Sequence, residues 1–453
     1  MVKEWTTEEL FNWDEHHILH AEYPAGQIRR IMFDNARGVT LQDTENKEYI
    51  DLCSQLDCVS LGHNQNELVD AAADQMRKLP YTTIFFGVSH RPSIECAMKL
   101  TELTAEGLDY CLFTAGGSDS NETAFRIVRA YWSNNGSNKH KIISLYGGYH
   151  GVSFAAGSAS GVGKGSMWTG ISPTAPGFIH VPPYYCYRCM FGKEYPQCGI
   201  QCAEYLGQVI ENEGPQTVAA FIAEPVIGAG GMIQPPPEYW PKVREICTKH
   251  DVFLIADEIK TGFCRTGKMF AMEHWGIKPD VMTMAKGITG SYFPFGAVAL
   301  NKQIYEGVQG IAFPGFTYDS HPVGCAVATK AMEIYVRDHI ADNAANIGKH
   351  VLDRLTAEFL PLPCVGNVNG LGLMGGIEIV ADKTSKRVFD PNLDVPAWIQ
   401  SQAFEKGLFL RVGNIGWALS DRVTYGCPLT MTITEADRAL DILKPIIAEV
   451  RPN

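Results

Sequence analysis

Phe253-Leu254-Ile255-Ala256-Asp257-Glu258-Ile259-Lys260-Thr261-Gly262 is a short apolar run that ends in two carboxylates. A run of this length, closed by charge and glycine, predicts a buried strand. In open α/β sheets, ligands bind beyond the carboxyl ends of the strands. Asp257 therefore stands where a ligand would be met. A helix cap or a surface turn is the alternative for such a residue. Downstream, Asp280-Val281-Met282-Thr283-Met284-Ala285-Lys286-Gly287 repeats the pattern, with a lysine at the strand end. Alone, Lys286 would read as a surface lysine after a strand.

Outward from this pair, strand-like runs at Tyr110–Phe113, Lys141–Leu145, Ala219–Ala223 and Ala297–Leu300 alternate with helical patterns at Ile94–Glu106, Asn121–Tyr131 and Pro237–His250. That alternation predicts an α/β fold with a mostly parallel sheet flanked by helices. Short strand-like runs at Val39–Leu41 and Tyr49–Leu52 precede it. A helix-rich tail with runs at Leu373–Val380 and Leu408–Arg411 follows. The expected organisation is a large domain over 76–335 and a small α+β domain made from 1–75 and 336–453.

The chain has 453 residues, 45% hydrophobic and 19% charged, with a formal net charge of −12. No basic cluster suggests a nucleic-acid face. No apolar run approaches the roughly 18 residues of a membrane span, and no signal-peptide pattern is seen at the start. Thirteen cysteines spread over this length read as reduced thiols, so a cytoplasmic location is expected.

Two further strand ends carry chemistry. Leu112-Phe113-Thr114-Ala115-Gly116-Gly117-Ser118 leads from a strand into a helix. Free N–H groups and the positive end of a helix dipole there suit an anion such as phosphate, although a simple helix cap is the commoner meaning of such a turn. Tyr146-Gly147-Gly148-Tyr149-His150-Gly151 places an aromatic ring that could stack on a flat cofactor, or merely pack in a turn. A lysine for an aldehyde and an acid for a pyridine nitrogen are the two groups that pyridoxal 5′-phosphate (PLP) requires.

In their order and spacing these segments resemble the class III aminotransferases, a branch of the fold-type-I PLP enzymes. The likeness is densest over Leu254–Lys286. It includes Ala223-Glu224-Pro225-Val226-Ile227-Gly228-Ala229-Gly230-Gly231 and Gly315-Phe316-Thr317-Tyr318. The resemblance implies that Lys286 forms the Schiff base with PLP and shuttles protons, and that Asp257 pairs with the pyridine nitrogen. It implies that Gly117 and Ser118 bind the phosphate, that Tyr149 and Ile259 cover the two ring faces, and that Glu224 belongs to the cofactor site. Thr317 would reach the phosphate in a neighbouring subunit. A homodimer or a dimer of dimers, with sites at the interface, is thereby expected.

The same resemblance places Arg411 where relatives keep a mobile arginine that grips a carboxylate, with Arg422 as the second candidate. Some relatives carry a glutamate partner for that arginine where Ala229 stands here. Its absence is similar to the ω-aminotransferases, which act on amines, ω-amino acids or β-amino acids with pyruvate or 2-oxoglutarate. Asp57 stands where amine-type relatives often have tryptophan. The expectation is a polar pocket that favours a donor with a second cationic or hydrogen-bonding group; a locally bonded aspartate is the alternative. Phe85 and Phe86 are expected to line that pocket or to pack in the core. Lys260 replaces a glutamine or an apolar residue of relatives, and near the phenolic oxygen of PLP it would stabilise the phenolate. The other functions compatible with these residues are a PLP racemase or epimerase, a PLP lyase and a non-catalytic PLP-binding regulator.

Cys186, Cys189, Cys198 and Cys202 form a C-x2-C-x8-C-x3-C cluster. The paired spacings allow a four-thiolate zinc site. The short separation between the pairs favours free cysteines, so no metal is expected.

Overall fold

The structure is a computed structural model and describes residues 5–21, 31–162, 174–415 and 420–451. Its centre is a seven-stranded sheet. The strands are β1 (Tyr110–Thr114), β2 (Lys141–Leu145), β3 (Phe178–Val181), β4 (Val218–Ala223), β5 (Phe253–Asp257), β6 (Val281–Met284) and β7 (Gly296–Leu300). Their order across the sheet is β1-β7-β6-β5-β4-β2-β3. All neighbours are parallel except β7, which runs antiparallel to both β1 and β6. β4 and β5 are buried along their whole length. Helices on both faces leave no polar side to alternate with, so these strands read as continuous apolar runs.

One face is covered by helix α1 (Gly117–Asn134), which packs Phe125, Ile127, Val128, Tyr131 and Trp132 against Ile142, Ala220, Ile222, Phe253 and Ile255. Trp132 also donates its Nε1–H to the carbonyl of Ala219 at 3.1 Å, so its polar edge is satisfied inside the core. The other face buries Leu206, Ile210, Tyr239, Trp240 and Val243 from helices Gln201–Glu213 and Tyr239–Lys249.

The chain ends build two smaller sheets. Phe33–Arg37, Thr40–Asp43 and Glu48–Asp51 form an antiparallel set, and Leu408–Phe409 adds to it in parallel beside Glu48–Asp51. Val365–Gly370, Gly375–Ile379, Ser420–Tyr425 and Arg411–Ile415 form the second. The run expected as one strand at Leu408–Arg411 is thus shared between two sheets, with the chain passing from one to the other at Leu410. The helix expected from Ile94 begins at Arg91 instead. The His90 ring accepts from the Ser93 N–H at 3.2 Å and Pro92 lies in the first turn, two start signals that apolar periodicity does not register. Among the described residues, no helix is long and apolar enough to cross a membrane.

Candidate active site

A cavity of about 400 Å³ opens beyond the carboxyl ends of β5 and β6. Gly117, Ser118, Tyr149, Glu224, Ala229, Asp257, Ile259, Lys260 and Lys286 all line it. Residues scattered over the sequence meet here because each ends a strand, or follows one, at the same edge of the central sheet.

Lys286 follows β6 after one intervening residue, Ala285, and adopts φ 46°, in the left-handed region. That region costs an L-residue on the order of 1 kcal/mol or more, and sheet packing on one side and the Gly287–Gly290 turn on the other hold it there. Asp257 ends β5 and is 1% exposed. Its Oδ2 accepts from Asn121 Nδ2 at 2.9 Å and faces His150 Nδ1 at 2.7 Å; its Oδ1 accepts from the Ile259 N–H at 3.1 Å. A carboxylate can only accept, so the His150 ring proton sits on Nδ1. His150 Nε2 is buried with no hydrogen-bond partner among the described residues.

Asn121 and His150 were missed in the sequence. Both carry signals: His150 follows the stacking candidate Tyr149, and Asn121 lies one turn into the helix that begins at Gly117. Asn121 Nδ2 also donates to the His150 carbonyl at 2.7 Å, tying the helix to the aromatic loop.

Gly117 and Ser118 open the 18-residue helix α1. The Ser118 hydroxyl accepts from the Val152 N–H at 3.2 Å, which draws the Tyr149–Gly151 loop over the turn. Ile259 presses against Gly117, where a Cβ would stand 3.0 Å from its Cδ1. Glu224 accepts from the Tyr149 N–H at 3.0 Å and the Gly228 N–H at 2.9 Å. Burial, helped by the nearby Asp257, pushes the Glu224 carboxyl up to about 7, against the pull of His150, the Tyr149 N–H and Lys260. These features fit PLP. A buried, immobilised acid, a lysine, a helix N-terminus and the side chains of Tyr149 and Ile259 share one cavity of about 400 Å³.

Other expected residues lie elsewhere. Asp57 is 4% exposed and does not line the cavity; it forms an ion pair with Lys260 Nζ at 2.7 Å. Of the two readings left open for Asp57, a pocket carboxylate and a locally bonded aspartate, this geometry matches the second. Arg411 lines a second cavity of about 540 Å³ with Phe11, Asp14, Cys53, Gln55 and Phe404. The turn around Ser54–Asp57 separates this space from the Lys286 cavity, which Cys58 lines.

Arg422, the alternative to Arg411, is 1% exposed and held through both of its terminal nitrogens. It pairs with Glu378 at 3.1 Å, bonds Tyr185 Oη at 3.1 Å and donates to Asn369. A guanidinium locked in this way cannot reach a substrate.

Phe85 is half-buried, Phe86 is 97% exposed and Thr317 is exposed; none lines the cavity of Lys286. The Thr317 carbonyl accepts from Tyr81 Oη at 2.6 Å. The four cysteines of the insert surround a cavity of only about 20 Å³ and are free thiols. Burial and neighbouring thiols push Cys186 up to about 11. Burial, with Cys186 beside it, pushes Cys202 up to about 12. Among the described residues, no group of three or more His, Cys, Asp or Glu is arranged to hold a metal.

Comparison with known proteins agrees with this geometry. The family described as aminotransferase class-III matches residues 23–447. A putrescine–pyruvate aminotransferase of Pseudomonas aeruginosa is 35% identical over 90% of this chain and 88% of its own length. A diaminobutyrate–2-oxoglutarate transaminase of Halomonas elongata is 34% identical over 95% and 94%. The crystal structure of a thermostable (S)-enantioselective omega-transaminase from Thermomicrobium roseum superposes with a TM-score of 0.94 at 37% identity, covering 99% of each chain. The chain belongs to the class III aminotransferase family and is a PLP-dependent aminotransferase.

Proposed function

We propose that this enzyme moves an amino group from an amine, ω-amino acid or β-amino-acid-like donor to a 2-oxo acid, pyruvate or 2-oxoglutarate. The observation that carries the proposal is the convergence of Lys286, Asp257 and the Gly117–Ser118 turn on one cavity whose wall at Ala229 bears no carboxylate. The named substrates of the relatives, a diamine and diaminobutyrate with these two acceptors, support the same donor and acceptor classes.

When bound, PLP supplies an electron sink for the carbon that loses its proton. The rest of the work falls to side chains. Gly117 and Ser118 hold the phosphate, with the α1 N-terminus behind them. Asp257, fixed by Asn121 and His150, holds the proton on the ring nitrogen. Tyr149 and Ile259 cover the ring faces, and Glu224 fixes the Tyr149 backbone. Lys286 Nζ would hold the cofactor's aldehyde carbon, and would take the proton from the substrate carbon and deliver it to that aldehyde carbon, on the far side of the linking nitrogen. Arg411, which lines the neighbouring cavity beside the Ser54–Asp57 turn, is the cation proposed for the acceptor carboxylate.

Tyr81, Phe86, Val88, Val152, Phe154 and Tyr318 are exposed and apolar. We infer that this surface, with Phe85 and Thr317, meets a second copy so that each chain completes the other's site. Light scattering of the holoenzyme is expected to give at least twice the chain mass; a monomer would remove that role from Thr317. The thirteen unpaired cysteines support a cytoplasmic location.

Exchange of the cofactor tests the reaction itself. An amine donor added alone should bleach the visible band of the holoenzyme, and pyruvate or 2-oxoglutarate should restore it. Loss of substrate chirality with no acceptor present would instead mean a racemase.

A further inference from the structure

PLP has four polar groups, and three have partners at this site: Asp257 for the ring nitrogen, Lys286 for the aldehyde, and Gly117 with Ser118 for the phosphate. The fourth is the phenolic oxygen. Of the remaining charged residues that line the cavity, Glu224 is taken up by the Tyr149 and Gly228 N–H groups. That leaves Lys260. We propose that Lys260 is the cation that keeps the cofactor's phenolic oxygen ionised, and that Asp57 is a buried counter-ion which holds Lys260 in place.

The surrounding structure is built around this pair. Asp57 and Lys260 are 4% and 5% exposed and 2.7 Å apart. Ser54, Gln55 and Asp57 all adopt left-handed backbone, at φ 48°, 59° and 59°, an accumulation of strain that delivers one carboxylate. Two glycines clear the space. A Cβ on Gly228 would run into the Lys260 stem, 3.2 Å from Cε and closer to Cδ, and a Cβ on Gly426 would overlap Asp57 Oδ1.

The charges facing Lys260 are Asp57, Lys286, Arg411 and Glu224, and Arg265 faces Asp57. Burial lowers Lys260 to about 8, Lys286 and Arg411 add to that, and Asp57 opposes it. Burial alone would raise Asp57, yet Lys260, Lys286 and Arg265 outweigh it and hold Asp57 below its usual value. The pair is therefore ionised, and it lies too deep for its carboxylate to select a diamine. Lys260 acts on the cofactor itself in this reading without handling the reacting proton, and Asp57 is the positioning residue that acts through it.

The inference rests on Lys286 carrying the cofactor, and it is tested by a spectrum with no substrate present. A cation beside an ionised oxygen opposes proton uptake there. In Lys260→Met holoenzyme, the pH midpoint of the visible band should rise by about one unit or more. Lys260→Arg, which keeps the charge, should stay close to wild type. Because Lys260→Met strands Asp57, whose charge would itself add to the rise, the Asp57→Asn/Lys260→Met double variant provides the second reading and should show a smaller rise in the same direction. A wild-type midpoint in either the single or the double variant overturns the proposal. Failure of the Lys286 assignment looks different, since Lys286→Ala would then retain the band.

Discussion

Lys286→Ala should lower kcat/KM by at least about 10³-fold and remove the visible cofactor band, even with PLP in excess. The size follows from losing two functions at once. In its proposed role the residue supplies the covalent attachment and also the proton transfer, and positioned acid–base groups alone contribute roughly 10²–10⁴-fold. Alanine is the informative replacement. It meets the same left-handed backbone at this position as lysine does, so the loss reports the amine and not a relaxed turn. Lys260, the other lysine lining the cavity, is committed to Asp57 at 2.7 Å and cannot take over. Assay with an amine and pyruvate, beside a spectrum of the purified variant, checks both halves. A variant that keeps the band and more than about a tenth of wild-type kcat/KM would remove Lys286 from its role.

The second large effect concerns stability. Arg422→Met should destabilise the protein by about 3–5 kcal/mol, the range for removing one partner of a buried ion pair. Glu378 is completely buried. Burial already raises its carboxyl to about 7, against the pull of Arg422. Without Arg422, Arg188 would be left as its cationic partner, at 2.5 Å. The network also joins strands Gly375–Ile379 and Ser420–Tyr425 to Tyr185 and Arg188 of the cysteine-bearing insert, so the loosening should spread across that contact. The urea midpoint of the holoenzyme measures the change. Arg422→Met/Glu378→Leu, which removes both charges, should recover most of the loss. It should also keep the wild-type KM for the 2-oxo acid. A large rise in that KM would return Arg422 to substrate binding.

The sequence disclosed what is local. Strand ends are written in neighbouring residues, so Asp257, Lys286 and the Gly117–Ser118 turn could be picked out from apolar runs that stop abruptly. The alternation of runs gave the layered fold, and resemblance supplied the roles. What could not be read is pairing between distant segments. Lys260 looked like an isolated departure, and so did Asp57; that each is the other's counter-ion depends on how the Ser54–Asp57 turn packs against the end of β5. Arg411 suffered likewise, since its position relative to the cavity is set by which sheet its strand joins. Asn121 and His150 were overlooked because a polar residue on a helix face or in a loop gives no periodic signal of the partner it meets.

The three donors around Asp257 have a consequence for what the cavity can admit. A carboxylate offers about four lone-pair sites, and the Asn121 amide, the His150 ring and the Ile259 N–H take up three of them. Among the described residues these are its side-chain and backbone donors, and any further partner must bring a hydrogen, because a carboxylate only accepts. The site thus sorts ligands by valence as well as by shape. A ring whose corresponding atom carries a proton completes the set, whereas an isostere with a C–H or an N-oxide there leaves a buried lone pair unanswered. The deaza analogue of the cofactor should fit the space and bind roughly 10-fold or more weakly than PLP, the cost of a buried acceptor left without its hydrogen bond.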